Sequence, residues 1–414
     1  MKSNRKVKIL ILVILGILFT FLPIFVNNPR FTVRDRDITS NYKGEKNFDH
    51  DNLKISAVSG KIHIDGNSGW LDFRNDGNCT GNGTYSDPYV IEDLVINGGG
   101  SGSCILIENS DVYFRIENCS FSNSPSGISI RYASNGTICN CTFLGSGVGL
   151  GGCLNLTIIE NIIMNGNGRG IFYTSAPGPP RPTQITIVSN IIYNNSDGGI
   201  IMLHGLNNSI KQNIIVNNTY CNLVPRYNIY CHDTIGYNIS ENFIGNSEIG
   251  LYLQECMNTS IFRNDIINNS KYGIVITRNS NNTFLSQNLI KSNNIGLIIN
   301  DSSRSSLIYK NQFIDNDINA IDDGNQNNWD NGIIGNYWDD YTGSDANGDG
   351  IGDVPYNITG SAGSKDHFPL MKCPIRKGEG IPIELIILIS VISGGAVIGV
   401  ATLLLIRLKR KRIE

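Results

Sequence analysis

Between about residues 101 and 334, apolar and polar positions alternate in short bursts such as Gly273-Ile274-Val275-Ile276. Period-two alternation marks a strand with one face buried, so this stretch reads as many short strands separated by turns. Asparagine returns beside each burst, at Asn118, Asn140, Asn161, Asn190, Asn213, Asn242, Asn264, Asn288 and Asn311. A glycine followed by Ile or Leu keeps step with it, at Gly127, Gly149, Gly170, Gly199, Gly250, Gly273 and Gly296. Most asparagine steps are 21 to 24 residues, and two steps of 29 hold extra residues expected to form loops. Helical repeats of this length need Leu and Ala at a spacing of about 3.6, and no such pattern is present.

A unit of about 22 residues with two or three short strands cannot bury its own apolar face. Stacked coils can, by lining one shared interior with Ile, Leu and Phe. The expected fold is therefore all-β, a parallel β-helix of nine or ten coils, about 45 Å long at about 4.8 Å per strand. Asparagines stacked at one turn of each coil would bond up and down the column. Cys119 and Cys141 each follow such an asparagine, so they are expected to stack in adjacent coils, as a disulfide or as a buried reduced pair.

The ends read differently. Lys2, Arg5, Lys6 and Lys8 precede an apolar run from Ile9 to about Val26, the pattern of a secretory signal or an uncleaved signal anchor. Ile381 to Ile406 is long and apolar enough to cross a bilayer, and Arg407, Lys409, Arg410, Lys411 and Arg412 follow, which places that end in the cytoplasm. The expected organisation is then a signal or anchor over 1–30, and a lead-in segment with the first coils and cap over 31–100. β-Helix repeats follow over 101–334, a C-terminal cap over 335–372, a linker over 373–380, a membrane helix over 381–406 and a basic tail over 407–414. The ectodomain is expected outside the cell membrane. Ten cysteines and about fifteen Asn-x-Ser/Thr sequons agree with export and glycosylation. A formal net charge of -3 gives no basic face for nucleic acid.

The repeats, with Gly81 to Glu92 (GNGTYSDPYVIE) before them and Gly335 to Tyr341 (GNYWDDY) and Asp366 to Leu370 (DHFPL) after, resemble the NosD-like family of right-handed β-helix proteins. That family is also grouped as carbohydrate-binding and sugar-hydrolase domains. The likeness covers roughly residues 60 to 372, and the layout with a C-terminal membrane helix is similar to that of archaeal surface proteins. It implies the right-handed fold and a carbohydrate partner. The copper-site role of the family's namesake finds little support in five His and five Met that form no cluster.

Two constellations carry candidate chemistry. Asp345, Asn347 and Asp349 place oxygens at positions 1, 3 and 5 of a Ca²⁺ loop, with Gly350 at 6, the Ile351 carbonyl at 7 and Asp353 at 9. Tyr356 stands where a full loop has Glu, so a shortened structural calcium loop is expected, pinning Tyr337, Trp338 and Tyr341 over the last coil. Five residues after the repeat glycine, or after Asn228 in its place, stand His204, Asp233, Glu255, Arg278 and Asp301, expected as one outward column. Asp233 beside Glu255 would make a glycosidase-type carboxylate pair, and Arg278 would hold a sugar acid. Phe172, Ile201, Tyr230 and Tyr252 form a second column that would line a polysaccharide groove. Outward polar columns also arise as plain structural pairing, for which Glu241 and Arg263 are the example. The expected function is a surface carbohydrate-binding or adhesion module. A polysaccharide hydrolase or lyase on the same face and a structural envelope protein are the alternatives.

Overall fold

The computed structural model describes residues 57–174, 184–218 and 226–374. Both apolar terminal segments lie outside the described residues, as do 175–183 and 219–225, where the two long steps put their loops. Among the described residues no helix is long and apolar enough to cross a membrane.

Three parallel sheets of 12, 11 and 10 strands are formed among the described residues. They begin at Ala57–Ser59, Ile62–Asp65 and Tyr89–Glu92 and are called here the first, second and third sheets. Each coil gives one strand to each sheet, for example Phe243–Gly245, Ile249–Gln254 and Ser260–Phe262. Inward residues stack in register. Ile244, Ile266, Ile290 and Phe313 line the first sheet, and Ile239, Ile261, Leu285 and Ile308 the third, all fully buried. Eleven strands in the second sheet give a rod of about 50 Å.

Left-handed residues turn the chain at three corners, such as Arg263 (φ 54°) before the first sheet, Asn268 (φ 59°) after it, and Arg278 (φ 50°) after the second. At the first corner Asn161, Asn190, Asn213, Asn242, Asn264, Asn288, Asn311 and Asn336 form a buried ladder. Each amide donates to the side-chain oxygen of the next, as Asn288 Nδ2 does to Asn311 at 2.9 Å. The first two members expected from the sequence are off by one residue. Asn118 and Asn140 are exposed left-handed residues (φ 55° and 52°), and Cys119 and Cys141 occupy the ladder slot. The slip arises because Ile-Glu-Asn118 copies the letters of Ile-Glu-Asn161, while strand register aligns Glu117 with Cys139 and Cys139 with Ile159.

A second ladder, which the sequence reading did not find, runs along the second corner. Asn195 donates to Asn218, Asn269 to Asn293, and Asn293 to Asn316, each at 3.0 Å. It explains the repeated glycine from Gly170 onward; one coil earlier the slot is filled by Gly147 and not by the expected Gly149, because Val148 is in register with Ile171. A Cβ on Gly250 would meet the Gly273 carbonyl at 2.6 Å and Asn269 Nδ2 at 2.9 Å. Where Asn228 replaces that glycine, Ser247 replaces the ladder asparagine. The Asn228 amide fills the gap, accepting from Asn218 (3.0 Å) and donating to the Gly245 carbonyl (2.8 Å).

Both ends of the stack are closed by aromatic residues. The helix Gly66–Asn75, absent from the strand-rich expectation, buries Trp70 against Tyr89 (5.3 Å) and Phe114 (5.2 Å). At the other end Trp338 lies between Phe313 (4.4 Å) and Tyr356 (4.2 Å). Buried Asp366 accepts from Trp338 Nε1 at 2.9 Å and from the Asn336 amide at 2.7 Å, and burial raises its pKa to about 6. Covering the end coils removes exposed sheet from the ends of the stack. Among the described residues Cys119 and Cys141 are reduced thiols.

Candidate functional site

The second sheet presents an outward row that crosses five coils in register: Phe172, Ile201, Tyr230, Tyr252 and Val275. Ile201 and Val275 are buried within this row, which makes an apolar floor. Tyr227, which the sequence reading did not select, stacks on Tyr230 at 5.0 Å and meets Tyr252 at 5.1 Å. Burial pushes the Tyr230 hydroxyl up to about 12 and also raises Tyr252, with the Arg278 guanidinium pulling both the other way. The phenols are therefore neutral donors over the physiological range. Tyr230 donates to Gln254 Oε1 at 3.2 Å.

The five column residues sit at the third corner, all left-handed: His204, Asp233, Glu255, Arg278 and Asp301 have φ of 59°, 49°, 55°, 50° and 50°. Left-handed Glu, Gln, Arg and Lys also occur at the first corner, so this conformation belongs to the fold and not to a site. Asp233 and Glu255 stand in consecutive coils, but each is tied to an imidazole. His204 Nδ1 lies 2.9 Å from Asp233 and His232 Nε2 lies 3.6 Å from Glu255. His232, one residue before Asp233, is also absent from the sequence-derived set. Its ring lies parallel to Tyr230 at 6.2 Å and 5.6 Å from His204. Asp301 accepts from Thr277 Oγ1 at 2.8 Å. The result is an apolar, aromatic strip with carboxylates, imidazoles, an amide and a guanidinium along one edge. Rings of this kind pack on the apolar faces of sugars, and such an edge bonds hydroxyls.

The opposite edge borders a cleft of about 580 Å³ lined by Glu248, Ser270, Asn294 and Asp317, with Arg226 at one end. The structural pair expected between Glu241 and Arg263 is not the arrangement found. Glu241 accepts from Gln212 at 2.9 Å and Arg263 donates to Gln287 at 3.1 Å.

In the C-terminal cap, Asp345 accepts from the backbone of Gly348 (2.8 Å), Asp349 (3.1 Å) and Gly350 (2.9 Å). Asn347 accepts from the Asp349 amide (3.0 Å), Asp349 from the Ile351 amide (2.8 Å), and Asp353 from the Ala346 amide (2.7 Å). The loop is thus closed by its own carboxylates, and among the described residues no three His, Cys, Asp or Glu gather as a metal site.

Residues 223–343 match the family model described as periplasmic copper-binding protein (NosD), and residues 38–220 match that of the right handed beta helix region. No curated protein matches the chain. Among solved structures it is similar to the periplasmic alginate epimerase AlgG, with 17% identity over 63% of this chain and 75% of that chain, and a TM-score of 0.41. The surface adhesin PfbA of Streptococcus pneumoniae is 16% identical over 57% of this chain and 69% of its own, with a TM-score of 0.43. The Dettilon tailspike protein is 12% identical over 66% and 61%, with a TM-score of 0.43. These likenesses concern the fold alone. The donors present do not fit copper: His204 and His232 are each held by a carboxylate, and no third ligand joins them among the described residues.

Proposed function

We propose that this chain, which belongs to the NosD-like right-handed β-helix repeat family, is a surface carbohydrate-binding or adhesion module that holds polysaccharide along the outer face of its second sheet. The observation that carries this reading is the contiguous strip of Tyr227, Tyr230, Tyr252 and Phe172 edged by His204, Asp233, Glu255, Arg278 and Asp301. A long solenoid face offers an extended polymer many weak contacts in register.

The segment Ile381–Ile406 anchors the protein in the cell membrane, with the repeats outside and Arg407 to Arg412 in the cytoplasm. Ca²⁺ at Asp345, Asn347, Asp349, the Ile351 carbonyl and Asp353 stiffens the cap next to Trp338 and Tyr341. Both assignments rest on sequence pattern. Added calcium is expected to raise the melting temperature of the full chain, and a chelator to reverse the rise. No change in either direction would remove calcium from the account.

The test of function is a polysaccharide panel run on the full chain in mild detergent, with retention and polymer length read together. Retention without shortening supports the binding module. Shortened polymer would replace it with a hydrolase or lyase at the consecutive carboxylates Asp233 and Glu255.

A further inference from the structure

The first-corner ladder is asparagine from Asn161 onward, but its two N-terminal slots are cysteine. The thiols copy the amide's bonding pattern. Asn213 Nδ2 donates to the carbonyl two residues back (Lys211, 2.9 Å) and to one in the preceding coil (Ile187, 2.9 Å). Cys119 Sγ likewise faces the Glu117 carbonyl (3.2 Å) and Ile91 (3.9 Å), and Cys141 Sγ faces Cys139 (3.2 Å) and Ile116 (3.6 Å). A thiol is a weak donor and has no amide oxygen to receive the preceding rung. The coil-to-coil link is therefore weakest here, near an end of the stack, where a solenoid frays first.

The same two slots are suited to a covalent link. Ser120 pairs with Thr142 in register and Thr142 N donates to the Cys119 carbonyl at 2.9 Å, so the Cα atoms of Cys119 and Cys141 are one strand spacing apart. That spacing, about 4.8 Å, lies within the Cα range of a disulfide. Both side chains are buried, at 1% exposure, and turned the same way. Cys141 hydrogen-bonds Cys119 and lowers its pKa, whereas burial raises that of Cys141. Cys139 is excluded as partner because it turns outward to Glu117 at 3.6 Å.

We propose that Cys119 and Cys141 form an inter-coil disulfide that replaces the missing rungs of the ladder, made by exchange with a small-molecule disulfide such as oxidised glutathione. The Cys119 thiolate attacks one reagent sulfur and expels a reagent thiolate. Cys141, losing its proton, then attacks the Cys119 sulfur of the mixed disulfide and expels the second. Two protein thiols are oxidised, one reagent disulfide is reduced to two thiols, and the two protons leave with them. Because both sulfurs are buried, exchange takes place while the first coils are open, during folding or fraying.

The test refolds the full chain in a glutathione redox buffer, alkylates the remaining thiols and maps non-reduced peptides. The expected result is one cross-linked pair joining the Cys119 and Cys141 peptides, a melting temperature several degrees above the reduced chain, and loss of that gain on reduction. A Cys119→Ser/Cys141→Ser variant is expected to show no redox-dependent shift. The peptide map on the unaltered chain decides the matter even where the variant misfolds. Both cysteines alkylated in natively refolded protein, or either one joined to a different cysteine, overturns the proposal.

Discussion

At the first corner the chain uses asparagine eight times running, from Asn161 to Asn336, whereas at the third corner five successive coils place His204, Asp233, Glu255, Arg278 and Asp301. Both corners turn through a left-handed residue. At the third corner it is the column residue itself, and at the first it is the varied residue before the asparagine, such as Glu241 or Arg263. The turn alone therefore does not set the two corners apart. Partners do. The asparagines are buried and bond to one another, and any other residue leaves buried amides unpaired. The third-corner residues are partly or fully exposed, and Asp233, Glu255 and Asp301 pair locally with imidazoles or a hydroxyl, so the fold tolerates variety there. In a repeat protein, uniformity marks what stacking requires, and variety marks positions that stacking leaves open.

That comparison breaks most sharply at Asn288, whose Oδ1 accepts from Asn264 N (2.9 Å) and Nδ2 (3.0 Å) and whose Nδ2 donates to Ile261, Ser286 and Asn311. Asn288→Ala is expected to destabilise the chain by about 3 to 5 kcal/mol in urea unfolding, because several buried groups lose partners at once. A cost below about 1 kcal/mol would mean the ladder is ornamental.

The cap comes next in size. The folded pKa of Asp366, about 6, stands above its ordinary 3.8. Its protonated form therefore contributes stability that is fully present below about pH 4 and lost as pH rises through about 6, on the order of 3 kcal/mol. Asp366→Asn is expected to flatten the stability-pH curve over that window, and an unchanged slope contradicts the assignment. Gly250→Ala follows at about 1 to 3 kcal/mol, since its Cβ would strike the Gly273 carbonyl and the second ladder. Glu255→Gln is smallest, within about 0.5 kcal/mol in the same assay, because its imidazole partner is 3.6 Å away and its side chain is 46% exposed.

The solenoid was legible because a repeated residue announces a repeated environment: Asn242, Asn264 and Asn288 could be aligned by eye, and their strands pair in that register. The alignment slipped where a different residue filled the slot, at Cys119 and Cys141, because Asn118 and Asn140 kept the letter but not the position. The second ladder was masked for a related reason. Asn268-Asn269 and Asn217-Asn218 place a left-handed, at least partly exposed asparagine directly before the buried one, and a sequence cannot say which faces inward. The same arrangement makes sequons cheaply. In Asn268-Asn269-Ser270 and Asn207-Asn208-Ser209 the fold itself calls for a left-handed Asn, a buried Asn and then a small polar residue, so their number says little about glycosylation.

The candidate site was legible as a column and not as a set of partners. Counting five residues from the glycine found Asp233 and Glu255. It did not find His232, one position before Asp233, or Tyr227, three positions before Tyr230, which supply the imidazole and the stacking ring. Side-chain pairing across coils is written in no single repeat. The helix Gly66–Asn75 was missed because a cap, by its role, departs from the pattern it ends.

The most direct test of the account compares full-length chain with Tyr230→Ala/Tyr252→Ala protein by affinity electrophoresis in the polysaccharide that the unaltered chain retains most strongly. The account predicts that retention falls at least about tenfold, the equivalent of about 1.4 kcal/mol, while the circular dichroism spectrum stays that of a β-solenoid. Equal retention by both proteins, or retention of no polysaccharide by either, would contradict it.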